Sequence, residues 1–346
     1  MSLGVGIVGC GMIANFHAKA IADAGNAHLV GCFNRSTDKA KAFASEHGGK
    51  VYETLEEMIS DPDIHALSIC TPSGAHLDPA VAGAQAGKHI LIEKPLEITT
   101  ERCDAIINAC RDAGVQLAVT FQSRFHESSR LMKRAIDGGR FGKVTMGDAY
   151  VKWFRSQEYY DSGAWRGTWA LDGGGALMNQ AIHSVDLLLW LMGPVSEISA
   201  MTGTMTHERI EVEDVAVATL RFKSGALGVI EATTTAYPGA LKRIEISGSH
   251  GTAILEEEDL KAWQFAEEDS EDQEIRETME GRTKTGGGAG DPAAIGHHGH
   301  TMVFEDFAGA ILDGRSPSVD GAEGRRSVEV IQAIYESAKT GNVVRL

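Results

Sequence analysis

LGVGIVGCGMIANF, residues 3–16, decides the fold of the N-terminal half of this chain. An uncharged apolar run leads into Gly9, Gly11 and Ala14, which fit the pattern GxGxx(G/A) between a predicted strand and a predicted helix. Glycines at these places allow a tight turn and a close approach of the backbone to a diphosphate, which the amides of a helix N-terminus attract. The stretch therefore predicts a dinucleotide-binding turn, with Gly9, Gly11, Met12 and Ile13 as cofactor contacts.

Strand-like runs then alternate with helical patterns as far as residue 120. The apolar runs are LGVGIVG, HLVGCF, ALSICT, HILIE and QLAVTF. Such alternation predicts a parallel sheet covered on both faces, that is, a Rossmann domain over residues 1–122.

The end of the second run bears on the choice of cofactor. Asn34 stands where an NAD-specific protein usually places an acid for the ribose hydroxyls, and Arg35 follows it. A neutral side chain does not repel a 2′-phosphate and an arginine pairs with one, so the sequence favours NADP over NAD. The alternative is that Arg35 stacks on adenine, which permits either cofactor.

Two further turns fall at the carboxyl edge of the predicted sheet, where such sheets bind ligands. The run ALSICT ends at Thr71, and Pro72 and His76 follow it; all three are assigned to the cofactor side, although His76 alone is equally compatible with a helix opening. The run HILIE ends at Glu93, which is also assigned to the cofactor, and residue chemistry alone leaves it open whether Lys94, which follows, is catalytic.

The stretch DGGGALMNQAIHSVD, residues 172–186, carries His183, a further candidate for catalysis beside Lys94, in a segment with helical spacing. The pattern predicts a helix over Ala176–Met192, with an apolar stripe on one face and Asn179, His183, Asp186 and Trp190 on another. An active-site helix needs such a polar stripe, but a plain surface helix also shows it.

Taken in order, GxGxxA, TPxxxH, GKHILIEKP and GGGALMNQAIHSVD resemble the glucose-fructose oxidoreductase/inositol dehydrogenase/rhizopine catabolism (Gfo/Idh/MocA) family over nearly the whole chain. The resemblance implies that Lys94 contacts substrate and nicotinamide ribose and that His183 is the acid/base. It also implies that Trp165 and Arg166 reach the cofactor and that a histidine near the substrate, His300, opens a helix. Many relatives carry an acid where this chain has Asn179, which leaves Lys94 and His183 as the minimal catalytic pair and Asn179 as a substrate contact.

The second half, residues 123–346, reads differently. Strand-like runs joined by short glycine-containing turns predict a largely antiparallel sheet. The fold class is therefore α/β plus α+β, with Gln122 assigned to the cofactor and Arg124 to the substrate where the halves meet. In the family this sheet commonly forms the subunit interface, so a homodimer or homotetramer is expected.

Composition excludes several classes of partner. The net charge of −16 argues against nucleic acid and anionic membranes. Residues 256–280 contribute −10 of it and predict a solvated hairpin and loop. The five cysteines show no metal-ligand spacing and are expected to be reduced thiols in a cytoplasm, and the three histidines at 297, 298 and 300 are not assigned to a metal.

The sequence thus predicts an NAD(P)-dependent oxidoreductase acting on a secondary hydroxyl, or the matching ketone, of a sugar, sugar derivative, nucleotide sugar or cyclitol. The sequence pattern LMNQxIHxxDLL resembles that of the subgroup of UDP-N-acetylglucosaminuronate dehydrogenases within that family. Two rivals remain on the same fold: a non-catalytic NAD(P)-sensing regulator and an NAD-dependent glycosidase.

Overall fold

The computed structural model describes residues 2–283, 286–291 and 296–346. The chain forms two compact units. The first comprises Met1–Gln122, Ala170–Gly173 and Gly296–Val328, and the second comprises Ser123–Trp169, Gly174–Ile295 and Glu329–Leu346. The chain therefore returns to the first unit twice, whereas the sequence predicts a single boundary after residue 122.

The first unit contains a six-stranded sheet in the order β3-β2-β1-β4-β5-β6. All of its strand pairs are parallel, which confirms the predicted Rossmann architecture. The central strands β1, β4 and β5 are almost wholly buried, as expected of a sheet covered on both faces. The strands are β1 (Leu3–Val8), β2 (Ala27–Phe33), β3 (Lys50–Tyr52), β4 (Ala66–Ile69), β5 (His89–Ile92) and β6 (Leu117–Val119).

Helices follow the strands of this sheet. Thr54 and Thr99 cap two of them, each side chain accepting a hydrogen bond from an amide of the first turn. The helices are α1 (Met12–Asp23), α2 (Thr37–His47), α3 (Leu55–Ser60), α4 (Leu77–Gln85) and α5 (Thr100–Ala113), and later in the chain α10 (His298–Asp313).

The second unit is built on an eight-stranded sheet in the order β13-β12-β11-β7-β10-β9-β8-β14. Among the described strands of this sheet, only β7 and β10 pair in parallel, so the predicted largely antiparallel sheet is confirmed. The strands are β7 (Val144–Lys152), β8 (Val195–Gly203), β9 (Val215–Phe222), β10 (Leu227–Thr233), β11 (Arg243–Gly248), β12 (Gly251–Glu256), β13 (Asp259–Phe265) and β14 (Val344–Arg345).

The predicted helix over Ala176–Met192 has two parts. Ala176–Ala181 is a π-helical segment, and an α-helix, α8 (Ile182–Met192), continues from it. The wider π turn shifts the register assumed for an α-helix, and such turns occur frequently at functional sites. The other helices are α6 (Glu127–Asp137), α7 (Gln157–Asp161), α9 (Asp272–Thr278) and α11 (Gly321–Thr340).

The acidic segment 256–280 is more ordered than the solvated hairpin and loop that its charge suggests. It contains β13 and α9 and buries Asp259, Asp272 and Trp263. Asp272 accepts hydrogen bonds from the guanidinium of Arg140 at 2.6 and 2.7 Å and from the Trp263 indole at 2.7 Å. Hydrogen bonds from Arg140 outweigh burial and lower the pKa of Asp272.

All five cysteines are free thiols. Among the described residues, no helix combines the length and the hydrophobicity that crossing a membrane requires.

Candidate active site

The turn between β1 and α1 has the features of a diphosphate cradle. Gly9 has a positive φ of 93°, and a Cβ there would lie 2.9 Å from the backbone of Cys70 and Thr71. A Cβ on Gly11 would meet nothing within 4 Å, so open space lies in front of the turn. No acid stands in the first turn of α1 and no side chain caps it, so its amides suit an anion. Met12 and Ile13 begin this helix, as the motif predicts.

Asn34, directly after β2, is hydrogen-bonded to the same turn. The Asn34 side-chain oxygen accepts a hydrogen bond from the Cys10 amide at 3.1 Å, and its nitrogen donates to the Ser36 carbonyl at 3.1 Å. Arg35 is exposed beside it. Asn34 therefore shapes the turn in addition to being the neutral residue at the strand end.

His76 ties the two remaining loops of the first unit together. Its Nδ1 lies 3.0 Å from the Pro95 carbonyl oxygen and its Nε2 lies 3.0 Å from that of Thr71. The ring is buried, and burial lowers the pKa of His76 against the pull of these two acceptors. His76, assigned to the cofactor from the sequence, thus occupies both ring nitrogens with backbone and braces the Thr71-Pro72 turn against the Glu93-Lys94-Pro95 turn.

A buried cluster of His17, Glu93 and His300 lies beneath Lys94. The Nε2 atoms of His17 and His300 lie 2.7 and 3.5 Å from Glu93 Oε1, and the Lys94 amide donates to Glu93 Oε2 at 3.1 Å. Burial opposes the charge of Glu93, but hydrogen bonds from both histidines outweigh it and hold its pKa well below the ordinary range. Burial lowers the pKa of His17, so a neutral ring donating from Nε2 and accepting from Ser68 Oγ at 2.7 Å satisfies every partner.

Two residues that the sequence assigns to ligand contacts belong to this cluster. Glu93, assigned to the cofactor, and His300, assigned to the substrate, are both buried in it. One donor atom from each of its three residues lies within 4.8 Å of the others, a spacing within reach of a metal ion. The 2.7 Å contact between His17 and Glu93 is that of a hydrogen bond, so we describe the cluster as a carboxylate held by two imidazoles.

Lys94 and Gln122 stand nearer to solvent than this cluster. Lys94 is half-buried at the carboxyl end of β5, and its peptide bond to Pro95 is cis. Gln122 is also half-buried, and its side-chain oxygen finds no hydrogen-bond partner among the described residues of the chain.

In the second unit, His183 lies on an otherwise buried helix. Of the residues of α8, only His183 and Trp190 are not buried. Asn179, in the π-helical segment before it, is likewise half-buried. The two polar groups singled out from the sequence are therefore the accessible ones on this stretch.

Asp186, on the same helix, points into the protein. It forms a bidentate ion pair with Arg124, with Nε to Oδ2 at 2.8 Å and Nη2 to Oδ1 at 2.6 Å. Both side chains are buried. Arg124, predicted to bind substrate, thus forms an ion pair with a residue of α8.

The aromatic loop before the glycines is stacked around Arg166. The Arg166 guanidinium lies 4.2 Å from the centre of the Tyr159 ring and 4.6 Å from that of Trp165. Trp165 and Arg166 are half-buried, as a contact to a bound molecule requires. The Tyr159 hydroxyl in turn accepts a hydrogen bond from Gln180 at 2.9 Å.

Sequence reasoning did not find Arg155, His17 or Glu213. Arg155 is fully buried and donates to Gln180 at 2.9 Å and to the Gly288 carbonyl at 2.8 Å, so it connects the π-helical segment to a glycine-rich loop. Its only sequence signal is a charge three residues after the end of β7. His17 follows the glycine turn on α1 at a position where a charge pattern gives no warning of burial.

A six-stranded parallel sheet of this order, with a glycine turn opening its first helix, defines a dinucleotide-binding domain. Residues 3–121 match the oxidoreductase family with an NAD-binding Rossmann fold, and residues 129–254 match the GFO/IDH/MocA C-terminal domain. The chain belongs to the Gfo/Idh/MocA family.

Named relatives cover most or all of the chain. The WlbA dehydrogenase from Bordetella pertussis, solved in complex with NADH and UDP-GlcNAcA, is 37% identical over 100% of this chain and 98% of its own, with a TM-score of 0.90. Levoglucosan dehydrogenase from Pseudarthrobacter phenanthrenivorans is 29% identical over 97% of this chain and 96% of its own. Myo-inositol 2-dehydrogenase from Thermotoga maritima is 31% identical over 71% of this chain and 73% of its own.

Proposed function

We propose that this protein is an NAD(P)-dependent dehydrogenase or reductase acting on one secondary hydroxyl, or the matching ketone, of a sugar, sugar derivative, nucleotide sugar or cyclitol. The observation that carries the proposal is the accessible imidazole of His183 on a helix whose other residues, apart from Trp190, are buried. The named relatives, all dehydrogenases of sugars or cyclitols, support the same class of reaction.

In the oxidative direction His183 takes the proton of the substrate hydroxyl, and the Lys94 ammonium stabilises the alkoxide that develops. A bound nicotinamide supplies the hydride acceptor. A positioned acid/base contributes about 10² to 10⁴ in rate, and a fixed positive charge beside a developing alkoxide adds electrostatic stabilisation. Asn179, four residues before His183, is neutral and half-buried. In this proposal its side chain donates a hydrogen bond to a second hydroxyl of the substrate.

Single substitutions test these roles. Lys94→Ala and His183→Ala are each expected to lower kcat by roughly 10² or more, whereas the Kd for NAD(P)H of His183→Ala stays near that of the wild type. Steady-state kinetics over a panel of sugars, cyclitols and nucleotide sugars, with fluorescence titration of the cofactor, provides both numbers. Undiminished turnover in either variant would contradict the catalytic pair.

For the substrate, we infer that a nucleotide sugar carrying a uronate is the first compound to try. Two WlbA dehydrogenases solved with UDP-GlcNAcA are 37% and 34% identical to this chain across its whole length. Levoglucosan and inositol, named in relatives of 29% and 31% identity, are the competing arms of the panel. Thermal shift with each compound at the same concentration ranks them, because a ligand that binds the native state stabilises it by an amount that grows with the logarithm of the ligand concentration divided by Kd.

For the cofactor, we propose that NADP is favoured over NAD. No acid occupies the end of β2, and the exposed Arg35 side chain makes no hydrogen bond or ion pair among the described residues. NADH complexes of related structures support the competing choice of NAD. Arg35→Ala is expected to raise the KM for NADP(H) and leave that for NAD(H) near its original value, and an equal effect on both would contradict the NADP preference.

We also propose that the outer face of the second unit's sheet pairs with a second copy of the chain. Met201 is 81% exposed on β8, and its register partner Val217 on β9 is 45% exposed. Leu227 and Met146, paired across β10 and β7, are 48% and 43% exposed. Val217→Glu is expected to raise the monomer fraction in light scattering, and an unchanged mass would contradict the proposal.

A further inference from the structure

Glu213 holds the N-terminus of the segment that leads to His183. Its Oε2 accepts a hydrogen bond from the Gly175 amide at 2.9 Å, and its Oε1 accepts one from the Leu177 amide at 2.8 Å. Its backbone carbonyl accepts the amide between them, that of Ala176, at 3.0 Å. One residue, remote in sequence, therefore satisfies three consecutive amides that a helix start leaves without intrahelical partners.

Tyr335 completes the arrangement from α11. Its hydroxyl donates to Glu213 Oε1 at 3.0 Å, and the carboxylate is buried. Each of these partners donates a hydrogen, so the ionised carboxylate, which only accepts, is the form that matches them. Burial nevertheless raises the pKa of Glu213 to about 7. We refer to Glu213 and Tyr335 together as the carboxylate clamp.

The clamp accounts for two of the three glycines in the motif. A Cβ on Gly175 would lie 1.8 Å from the Glu213 carbonyl oxygen, and one on Gly174, whose φ is +156°, would lie 2.1 Å from the Tyr335 hydroxyl. Neither distance is compatible with a side chain. The glycines are thus required by the close approach of Glu213 and Tyr335.

The clamp is connected to the reactive end of the segment. The Gly175 carbonyl accepts a hydrogen bond from the Asn179 amide at 3.0 Å, and α8 with His183 begins directly after the π-helical segment. A shift of Gly175 is therefore passed along a hydrogen-bonded backbone to both accessible polar residues. Proton transfer requires heavy atoms about 2.6 to 3.2 Å apart, so a small shift of the ring is costly.

We propose that Glu213, assisted by Tyr335, is a positioning residue that fixes the place of His183 for proton transfer. The inference rests on the proposed function, in which His183 acts on the substrate. Glu213 touches neither substrate nor cofactor in this role; it acts through the backbone of Gly175, Ala176 and Leu177.

The test compares three purified full-length variants with the wild type. Glu213→Gln removes the charge at nearly constant volume, and Tyr335→Phe removes one donor. Glu211→Gln is the matched control, since Glu211 also accepts a backbone amide, that of Trp169 at 2.9 Å, but is exposed and does not touch the motif. Measured are kcat, KM and the Kd for NAD(P)H.

Glu213→Gln is expected to lower kcat by about tenfold to a hundredfold, the loss that a displacement of about 1 Å produces, with the cofactor Kd unchanged. Tyr335→Phe is expected to show a smaller loss of the same kind, and Glu211→Gln none. A Glu213→Gln protein with the kcat of the wild type overturns the proposal. If that variant does not fold, Tyr335→Phe decides: a loss in kcat with KM retained supports positioning, and wild-type kinetics overturns it.

Amide hydrogen exchange separates this inference from the proposed function. Loss of the clamp is expected to speed exchange at the amides of residues 175–177 in Glu213→Gln but not in Glu211→Gln. If the wild type turns over no compound of the panel, the proposed function fails first. Exchange at those amides then judges the clamp alone, and unchanged protection in Glu213→Gln overturns it.

Discussion

Arg124 and Asp186 illustrate what a buried ion pair means for a single residue. Their side chains are 4% and 1% exposed and share two short hydrogen bonds. Bringing both charges out of water is costly, so the pair adds little stability in comparison with an apolar pair of similar volume. Removing one partner is a different matter, because the other charge is then buried without its ion-pair partner.

Arg124→Met is therefore expected to lower the free energy of unfolding by about 3 to 5 kcal/mol, measured by urea denaturation. The double variant Arg124→Met with Asp186→Leu is expected to regain most of that loss. Arg111→Ala, which breaks a pair between exposed side chains, serves as the control and is expected to cost less than about 1 kcal/mol.

The same double variant tests the sequence-based assignment of Arg124 to the substrate. If Arg124 acts only by positioning α8, KM is expected to return towards the wild-type value once the buried charge of Asp186 is also removed. A KM that stays high in a stably folded double variant would instead favour direct contact with substrate. Residue chemistry could not distinguish these roles, since an arginine beside a domain crossing suits either.

At the scale of single elements, the turn between β1 and α1 separates stability from binding. Gly9 has a positive φ and close backbone neighbours, whereas Gly11 faces open space. Both belong to the same motif, but only Gly9 is required by the fold itself.

Gly11→Ala is expected to leave Tm nearly unchanged and to weaken NAD(P)H binding, because the added methyl group occupies space in front of the turn that a diphosphate needs. Gly9→Ala is expected to lower Tm, since a Cβ there contacts the backbone and the left-handed conformation is unfavourable. Thermal unfolding and cofactor titration measure both effects. Equal loss of Tm in the two variants would contradict the distinction.

The sequence predicted these elements unequally well. Five of the six strands of the first unit followed from the apolar runs, because each buried strand leaves a short uncharged stretch, whereas the three-residue β3, which begins at Lys50, was missed. The π-helical segment Ala176–Ala181 was not predictable in this way, since its wider turn depends on the residues around it. The helix α9 escaped notice because a run of acids looks solvated, and only tertiary contacts such as Arg140 with Asp272 show otherwise.

The candidate site shows the same limit. Motifs and family resemblance marked Lys94, His183 and the glycine turn, which carry distinctive residue types at fixed spacing. They could not mark Glu213 or His17, whose partners are distant in sequence: His17 and Glu93 are separated by 76 positions and Glu213 and Tyr335 by 122. Long-range pairing of this kind requires coordinates.

At the scale of the whole molecule, the charge state of Glu213 couples stability to pH. Burial raises its pKa to about 7, so the folded state retains a proton that the unfolded state has already lost between pH 4.5, the ordinary value, and pH 7. Over this window the folded state binds more protons, and stability falls as pH rises.

Relative to Glu213→Gln, which cannot titrate there, the wild type is expected to lose about 3 kcal/mol of unfolding free energy between pH 4.5 and pH 7 and little more above it. Urea denaturation of both proteins at a series of pH values measures the difference. A difference that does not vary with pH would show that Glu213 keeps an ordinary pKa in the folded state.

The carboxylate clamp also has a consequence for the order in which the chain becomes competent. Tyr335 leaves the ribosome 122 residues after Glu213, so a nascent chain holds every motif residue before the last helix exists. Domains generally fold as units during synthesis, and here the Tyr335 hydroxyl is the last group of the clamp to be synthesised. A growing polypeptide therefore carries His183 on a segment whose anchor stays incomplete until α11 emerges, so the role proposed for His183 becomes possible only once that helix has been made.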